Sequence, residues 1–208
     1  MATTLFYLDT ASSLTISGYT VKLMGTARGS GVVTKTDNSS AASSIAVTDA
    51  TVPLAFGYQV NGYSATTGTY SFNHWGSESN AMANFGAGAD EIAGGAGGVV
   101  IYDSGGTLRF QIAVTSGPSA EYGTSAGAMT FTKAGTARTV NGGDWIVVFP
   151  SHETVGSPAG GFTLNFSYNG TSAAANGDSF ITLPDTVSAF TAAANPPYVN
   201  PMPPLIAQ

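Results

Sequence analysis

Residues 123–127, Gly123-Thr124-Ser125-Ala126-Gly127, satisfy the bare G-x-S-x-G pattern. In a hydrolase the central serine of such a pentapeptide is a nucleophile, exposed on a sharp turn between a strand and a helix. Here a Gly/Ser-rich stretch leads into the strand-like Ala128-Met129-Thr130-Phe131-Thr132 instead. With 27 glycines in the chain, the match reads as chance. The only bases that titrate near neutrality are His74 and His152. His74 sits in Phe72-Asn73-His74-Trp75 at the end of a strand-like run, with no partner at a recognisable spacing, so a structural or surface role is expected. A glycosidase needs two carboxylates facing one sugar. Glu78, Glu121 and Glu153 are available, but nothing in their spacing pairs them. Asp9, Asp37, Asp49, Asp103, Asp144, Asp178 and Asp185 fall at strand ends or turns, where Asp hydrogen-bonds the nearby backbone. No D-x-[DN]-x-[DN]-G loop is present, and the glycine-rich residues 94–98 lack the Lys-Ser/Thr of a phosphate loop. The expectation is no catalytic residue, no metal and no cofactor. Tyr58, Tyr63, Tyr70, Trp75 and Tyr122 stand near loops as a resource for stacking on sugars, while Trp145 reads as core.

Composition narrows the classes further. The chain has 208 residues, 43% of them hydrophobic, enough for a sizeable core. No apolar run approaches the ~18 residues of a membrane span. The start, MATTLFYLDT, lacks a basic region followed by an apolar one, so synthesis in a cytoplasm is the default. There is no cysteine, hence no disulfide and no thiolate metal site. Charged residues are 9%, against about 25% in an average globular chain. The surface must therefore be built from Thr, Ser, Asn, Gly and Ala, which suits a protein packed into an assembly. A net charge of −6 with six scattered basic residues argues against nucleic-acid binding.

The elements that must carry these side chains are strands. Residues 162–170 (FTLNFSYNG) alternate large apolar with small polar side chains, as a strand with one buried face does. Asn169-Gly170 then predicts a reversal. Residues 99–102 and 107–115 predict a hairpin around Asp103-Ser104-Gly105-Gly106. Leu108, Phe110, Ile112 and Val114 face one way in its second strand, and Phe110, Ile112 and Val114 are expected to be buried with Phe162, Leu164 and Phe166. Residues 145–149 (WIVVF) are apolar on both faces, which predicts a strand covered on both sides. The best helical candidate is residues 77–85 (SESNAMANF). About twelve strand candidates with frequent turn signals predict an all-β fold, an antiparallel jelly-roll-like sandwich over residues 1–194.

Beyond residue 194 the grammar changes. Residues 195–208 (NPPYVNPMPPLIAQ) hold five prolines and predict an extended C-terminal arm. Pro196, Pro197, Tyr198, Val199, Met202, Leu205 and Ile206 are its candidate partner-binding residues, an apolar surface with nothing of its own to cover.

Residues 77–85, 98–110 (GGVVIYDSGGTLRF spans 97–110) and 161–183, with TTLFYLD at the start, resemble small β-sandwich virion proteins of tailed bacteriophages. That family brings no catalytic residues to carry over. The resemblance implies a structural protein of the virion, made in the host cytoplasm, with a capsid decoration (cement) role on the outer surface of the major capsid protein shell. Its partners would be the major capsid protein or other virion proteins and further copies of itself, a trimer being favoured, with neither nucleic acid nor membrane. The alternative is a receptor- or carbohydrate-binding tail or head-fibre module.

Overall fold

The computed structural model describes residues 2–39, 44–46, 48–49, 52–79, 83–87, 98–114, 120–121, 123–154 and 162–192. Among these residues there is no helix. In chain order the strands are β1 (Thr3–Ile16), β2 (Tyr19–Gly25), β3 (Val33–Ser39), β4 (Ser44–Ala46), β5 (Thr48–Asp49), β6 (Val52–Pro53) and β7 (Phe56–Gln59). There follow β8 (Tyr63–Ala65), β9 (Thr69–Glu78), β10 (Ala83–Ala87), β11 (Gly98–Tyr102), β12 (Leu108–Val114) and β13 (Ala120–Glu121). The last six are β14 (Gly127–Ala134), β15 (Arg138–Val140), β16 (Trp145–Val148), β17 (Pro150–Thr154), β18 (Phe162–Tyr168) and β19 (Phe180–Leu183). The all-β expectation holds.

Eleven strands join one mixed sheet in the order β12-β11-β16-β7-β2-β1-β19-β9-β18-β3, with β14 on the other side of β9. Its pairings are antiparallel except for β2 with β7, which run parallel. The long strand β9 is the hub: β14 follows it along one edge, while β19 takes its first half and β18 its second half on the other. The first strand pairs with the last, Thr3 opposite Leu183 and Phe6 opposite Phe180. A four-stranded sheet (β13-β10-β17-β4) and the two-stranded ribbons β15-β8 and β5-β6 stand apart from this ladder.

Strand alternation decides where the core lies. Leu164, Phe166 and Tyr168 in β18 meet Leu5 and Tyr7 of β1, Phe56 of β7 and Phe72 of β9 in the main cluster. Tyr7 stacks on Phe56 with ring centroids 4.5 Å apart, and Phe72 stacks on Phe131 at 4.7 Å. Successive residues of β11 and β16 point to opposite faces. Val99, Ile101, Ile146 and Val148 therefore enter the main cluster. Val100, Tyr102, Trp145 and Val147 enter a second one, roofed by Leu14, Ile16 and Val21 of the β1–β2 hairpin. Residues 145–149 are thus covered on both faces, as their composition predicts, and Trp145 is core.

Three expectations need correction. The described residues of 77–85 are not helical: Ser77 and Glu78 end β9, and residues 83–87 form β10. Pairing of β10 with β13 and β17 overrides a weak capping signal. In β12, Ile112 is buried but Leu108 is 41% exposed, because register shifts against β11 break the simple alternation and put Ala113 in the core beside Ile112. Asn169 does adopt a left-handed conformation (φ 62°), but the chain does not reverse there at once. Residues 169–179 form a longer loop before β19. The boundary at residue 194 and every arm residue from Pro196 to Ile206 lie outside the described residues.

Candidate functional site

Most of the described ionisable side chains are spent inside the fold. His74, in the middle of β9 rather than at a strand end, is wholly buried. It is ringed by Tyr7, Phe72, Phe131 and Phe166, at centroid distances of 5.4–6.1 Å for Phe131 and Phe72 and between these for the other two. The Tyr7 hydroxyl lies 3.1 Å from its Nε2. Burial pushes the imidazole down to about 3, so it is neutral. The same burial pushes the Tyr7 hydroxyl far up.

Asp178, also buried, organises the loop before β19. It accepts from Arg28 Nε at 2.9 Å and from the backbone N–H of Ala174 at 2.8 Å. Arg28 in turn lies over the Phe6 ring. Asn169 fastens the neighbouring loop by donating from Nδ2 to the Gly31 carbonyl at 2.6 Å. Asp144 accepts from Arg109 Nη1 and from the Asn141 N–H. Asp9, at a register shift in β1, accepts from Lys22 at 2.8 Å and from the Tyr168 hydroxyl at 3.0 Å. Partial burial pushes its carboxyl up, but those two bonds and the charges of Lys22 and Lys35 outweigh it, so Asp9 titrates below the usual range. The Thr107 N–H, with that of Gly105, likewise holds Asp103 down in its turn. No group of three or more His, Asp or Glu among the described residues could hold a metal ion.

The described residues also form a concave surface. An open groove of about 420 Å³ is lined by Ser64, Ala65, Ala137, Arg138 and Thr139, all on or beside the β8–β15 ribbon. The ribbon is pinned from behind. Val140 and Ala65 are buried in the main cluster. The Thr66 N–H donates to the buried Asp185 carboxylate at 3.2 Å, which also accepts from the Tyr70 hydroxyl at 3.3 Å. The connection from β14 passes over the Tyr70 ring at Gly135, where a Cβ would come within 2.6 Å of Cε2; only glycine allows that approach. Its N–H donates to the Gly68 carbonyl at 2.8 Å. The groove is therefore a fixed feature carrying two hydroxyls and a guanidinium.

The residues singled out in the sequence are dispersed. Ser125 is exposed in the turn before β14, whereas His74 lies in the core opposite Met129 of the same ladder. Glu78 is buried at the end of β9. The backbone register sets Glu121 and Glu153 opposite Asn84 from its two sides, in the smaller sheet, whereas Glu78 belongs to β9 of the large one. Of the aromatics named for stacking, Tyr70 is core, Tyr58, Tyr63 and Trp75 are half-buried, and Tyr122 lies outside the described residues. They do not make an open platform. The groove escaped the sequence because Ser64, Arg138 and Thr139 match no motif and lie far apart along the chain.

The described residues form an all-β domain that carries an open polar groove. No family model matches the sequence, and no curated protein does. Solved structures do match. Two crystal structures of a CocE/NonD family hydrolase from Staphylococcus aureus superpose with TM-scores of 0.52 and 0.51, at 12% and 11% identity. In both, the match covers 88% of this chain and 36% of the hydrolase, so the chain spans about a third of that protein's length. At this identity the likeness is one of fold. It corrects the expectation of a capsid decoration protein, and of a tail or head-fibre module as its alternative. These two structures are of a hydrolase, with no link to a phage particle. The neutral, hydroxyl-rich surface behind that expectation is a property of many β domains and does not single out a virion.

Proposed function

We propose that this chain is a ligand-holding β domain without reacting groups of its own, of the kind that makes up part of a longer hydrolase. The observation that carries the reading is the commitment of its described ionisable side chains. His74 is neutral and enclosed by rings, and Asp178, Asp144 and Asp9 are taken up by Arg28, Arg109 and Lys22. Catalysis by acyl transfer needs a nucleophile within hydrogen-bond reach of a base. Ser125 is exposed while His74 is enclosed, so the pair does not meet that requirement. The likeness to about a third of a hydrolase supports the same division of labour, with the chemistry lodged in other parts of such a protein.

The test is direct. The purified chain is treated with a fluorophosphonate probe and assayed on a panel of p-nitrophenyl esters and glycosides. The expected result is no covalent labelling and rates at the buffer baseline. Stoichiometric labelling that disappears in Ser125→Ala, or turnover that survives purification to homogeneity, overturns the reading.

A further inference from the structure

The chain has six cations in all, and most serve the fold. Lys22 and Lys35 act on Asp9, Arg28 on Asp178 and Arg109 on Asp144. Lys133 and Arg138 meet no carboxylate among the described residues. They fall together, Lys133 near the end of β14 and Arg138 at the start of β15, on either side of the connection pinned by Gly135. Arg138 lines the groove.

We propose that this groove binds a small hydroxylated carboxylate, an inference that rests on the reading of the chain as a ligand-holding domain. A guanidinium that meets no carboxylate among the described residues presents a planar fork of donors that matches a carboxylate through two parallel hydrogen bonds. Ser64 and Thr139, opposite each other in the β8–β15 register, are both exposed and line the same groove. A hydroxyl both donates and accepts, so this pair suits a ligand that carries hydroxyls as well as charge. Ala65 and Ala137 add small apolar wall and leave room. At about 420 Å³ the groove lies within the ~300–1,000 Å³ usual for small-molecule sites. The overall charge of the chain works against that sign, and the groove must overcome it locally. With a net charge of −6 it repels anions in general. Screening confines that repulsion to about 10 Å at ordinary ionic strength, so a local excess of positive charge decides what this groove accepts. The Asp185 carboxylate behind the ribbon is buried and occupied by the Thr66 N–H and the Tyr70 hydroxyl.

The experiment is an amide-resolved NMR titration of the full chain at constant ionic strength with four probes. They are citrate, tricarballylate (the same carboxylates without the hydroxyl), glycerol and sulfate. Saturable citrate shifts are expected at the amides of Ser64, Ala65, Ala137, Arg138 and Thr139. Tricarballylate should bind severalfold more weakly and glycerol not measurably. Arg138→Gln should weaken citrate at least tenfold with the remaining amide spectrum unchanged. Thr139→Val should reduce citrate to the level of tricarballylate. The proposal is overturned if citrate gives no saturable shifts at these amides, if Arg138→Gln binds as the parent does, or if sulfate equals and displaces citrate. None of these readouts involves turnover, so their failure leaves the fluorophosphonate result standing, and labelling of Ser125 leaves the titration standing.

Discussion

Acidification from pH 7 to pH 5 is expected to destabilise this fold by about 2 kcal/mol through His74 alone. The imidazole ordinarily titrates near 6.5, and burial among Tyr7, Phe72, Phe131 and Phe166 holds it at about 3 in the folded chain. A base whose folded value is depressed takes up its proton first in the unfolded state. Stability is therefore complete above about pH 6.5 and is lost as pH falls from there toward 3, at up to about 1.4 kcal/mol per pH unit. The loss amounts to about 2 kcal/mol at pH 5 and about 3 kcal/mol at pH 4. Asp9 and Asp103, whose carboxyls titrate below their ordinary range, add to acid sensitivity only below about pH 4, outside the window between 6.5 and 4.5 in which His74 acts. The assay is urea unfolding at pH 7, 6, 5 and 4.5 on the parent chain, His74→Gln and His152→Gln. His74→Gln should be less stable at pH 7 yet nearly flat across the window, while His152→Gln keeps the parental slope. A parent that loses less than 0.5 kcal/mol between pH 7 and pH 5, or a slope that vanishes with His152 instead, would refute the reasoning.

Core and clasp substitutions give further checks. Leu164→Ala should cost ~2–5 kcal/mol in chemical denaturation, since the side chain is buried in the main cluster; a loss below 1 kcal/mol would mean that β18 faces the other way. Asp178→Ala should cost about 2–4 kcal/mol and exceed Arg28→Ala, because it strands both a guanidinium and the Ala174 N–H whereas Arg28 is a third exposed. Equal losses in the two variants would show that the Ala174 bond contributes nothing. Gly135→Ala should lower the melting temperature and disturb the Ser64 and Arg138 amides together, since a Cβ there displaces the Tyr70 ring; an unchanged spectrum would detach the groove from that support.

How far the sequence reached can be judged strand by strand. Leu164, Phe166 and Tyr168 alternate with polar residues, and the apolar face they announce is buried, though Ser167 on the opposite face is buried as well. Residues 145–149 announce two covered faces and have them. Where the period is broken the reading fails: the shifts in β12 put Ile112 and its neighbour Ala113 into the core together, and alternation alone cannot register an extra residue. The segment from Ser77 to Phe85 has caps and small residues that suit a helical turn, but pairing with β17 decides the state of residues 83–85, and long-range pairing leaves no local trace. His74 shows the same limit for a single side chain. Its flanking Phe72 and Trp75 mark a strand, yet the aromatic enclosure comes from β1, β14 and β18, which approach only in three dimensions. The groove was the least legible feature, being an adjacency of two short strands separated by more than seventy positions.

The pairing of β1 with β19 also sets a timetable. Thr3 finds its sheet partner at Leu183, so the first strand leaves the ribosome long before the strand that flanks it exists. Until then β1 has only β2 on one side, and its other edge, like that of β9 awaiting β18 and β19, is an open ladder able to pair with another chain. Closing so long a loop is entropically opposed before any contact repays it, which places the completed sheet among slow folders on the millisecond-to-second scale. Nascent and freshly diluted chains should accordingly be the aggregation-prone species, and yield on refolding should fall with protein concentration.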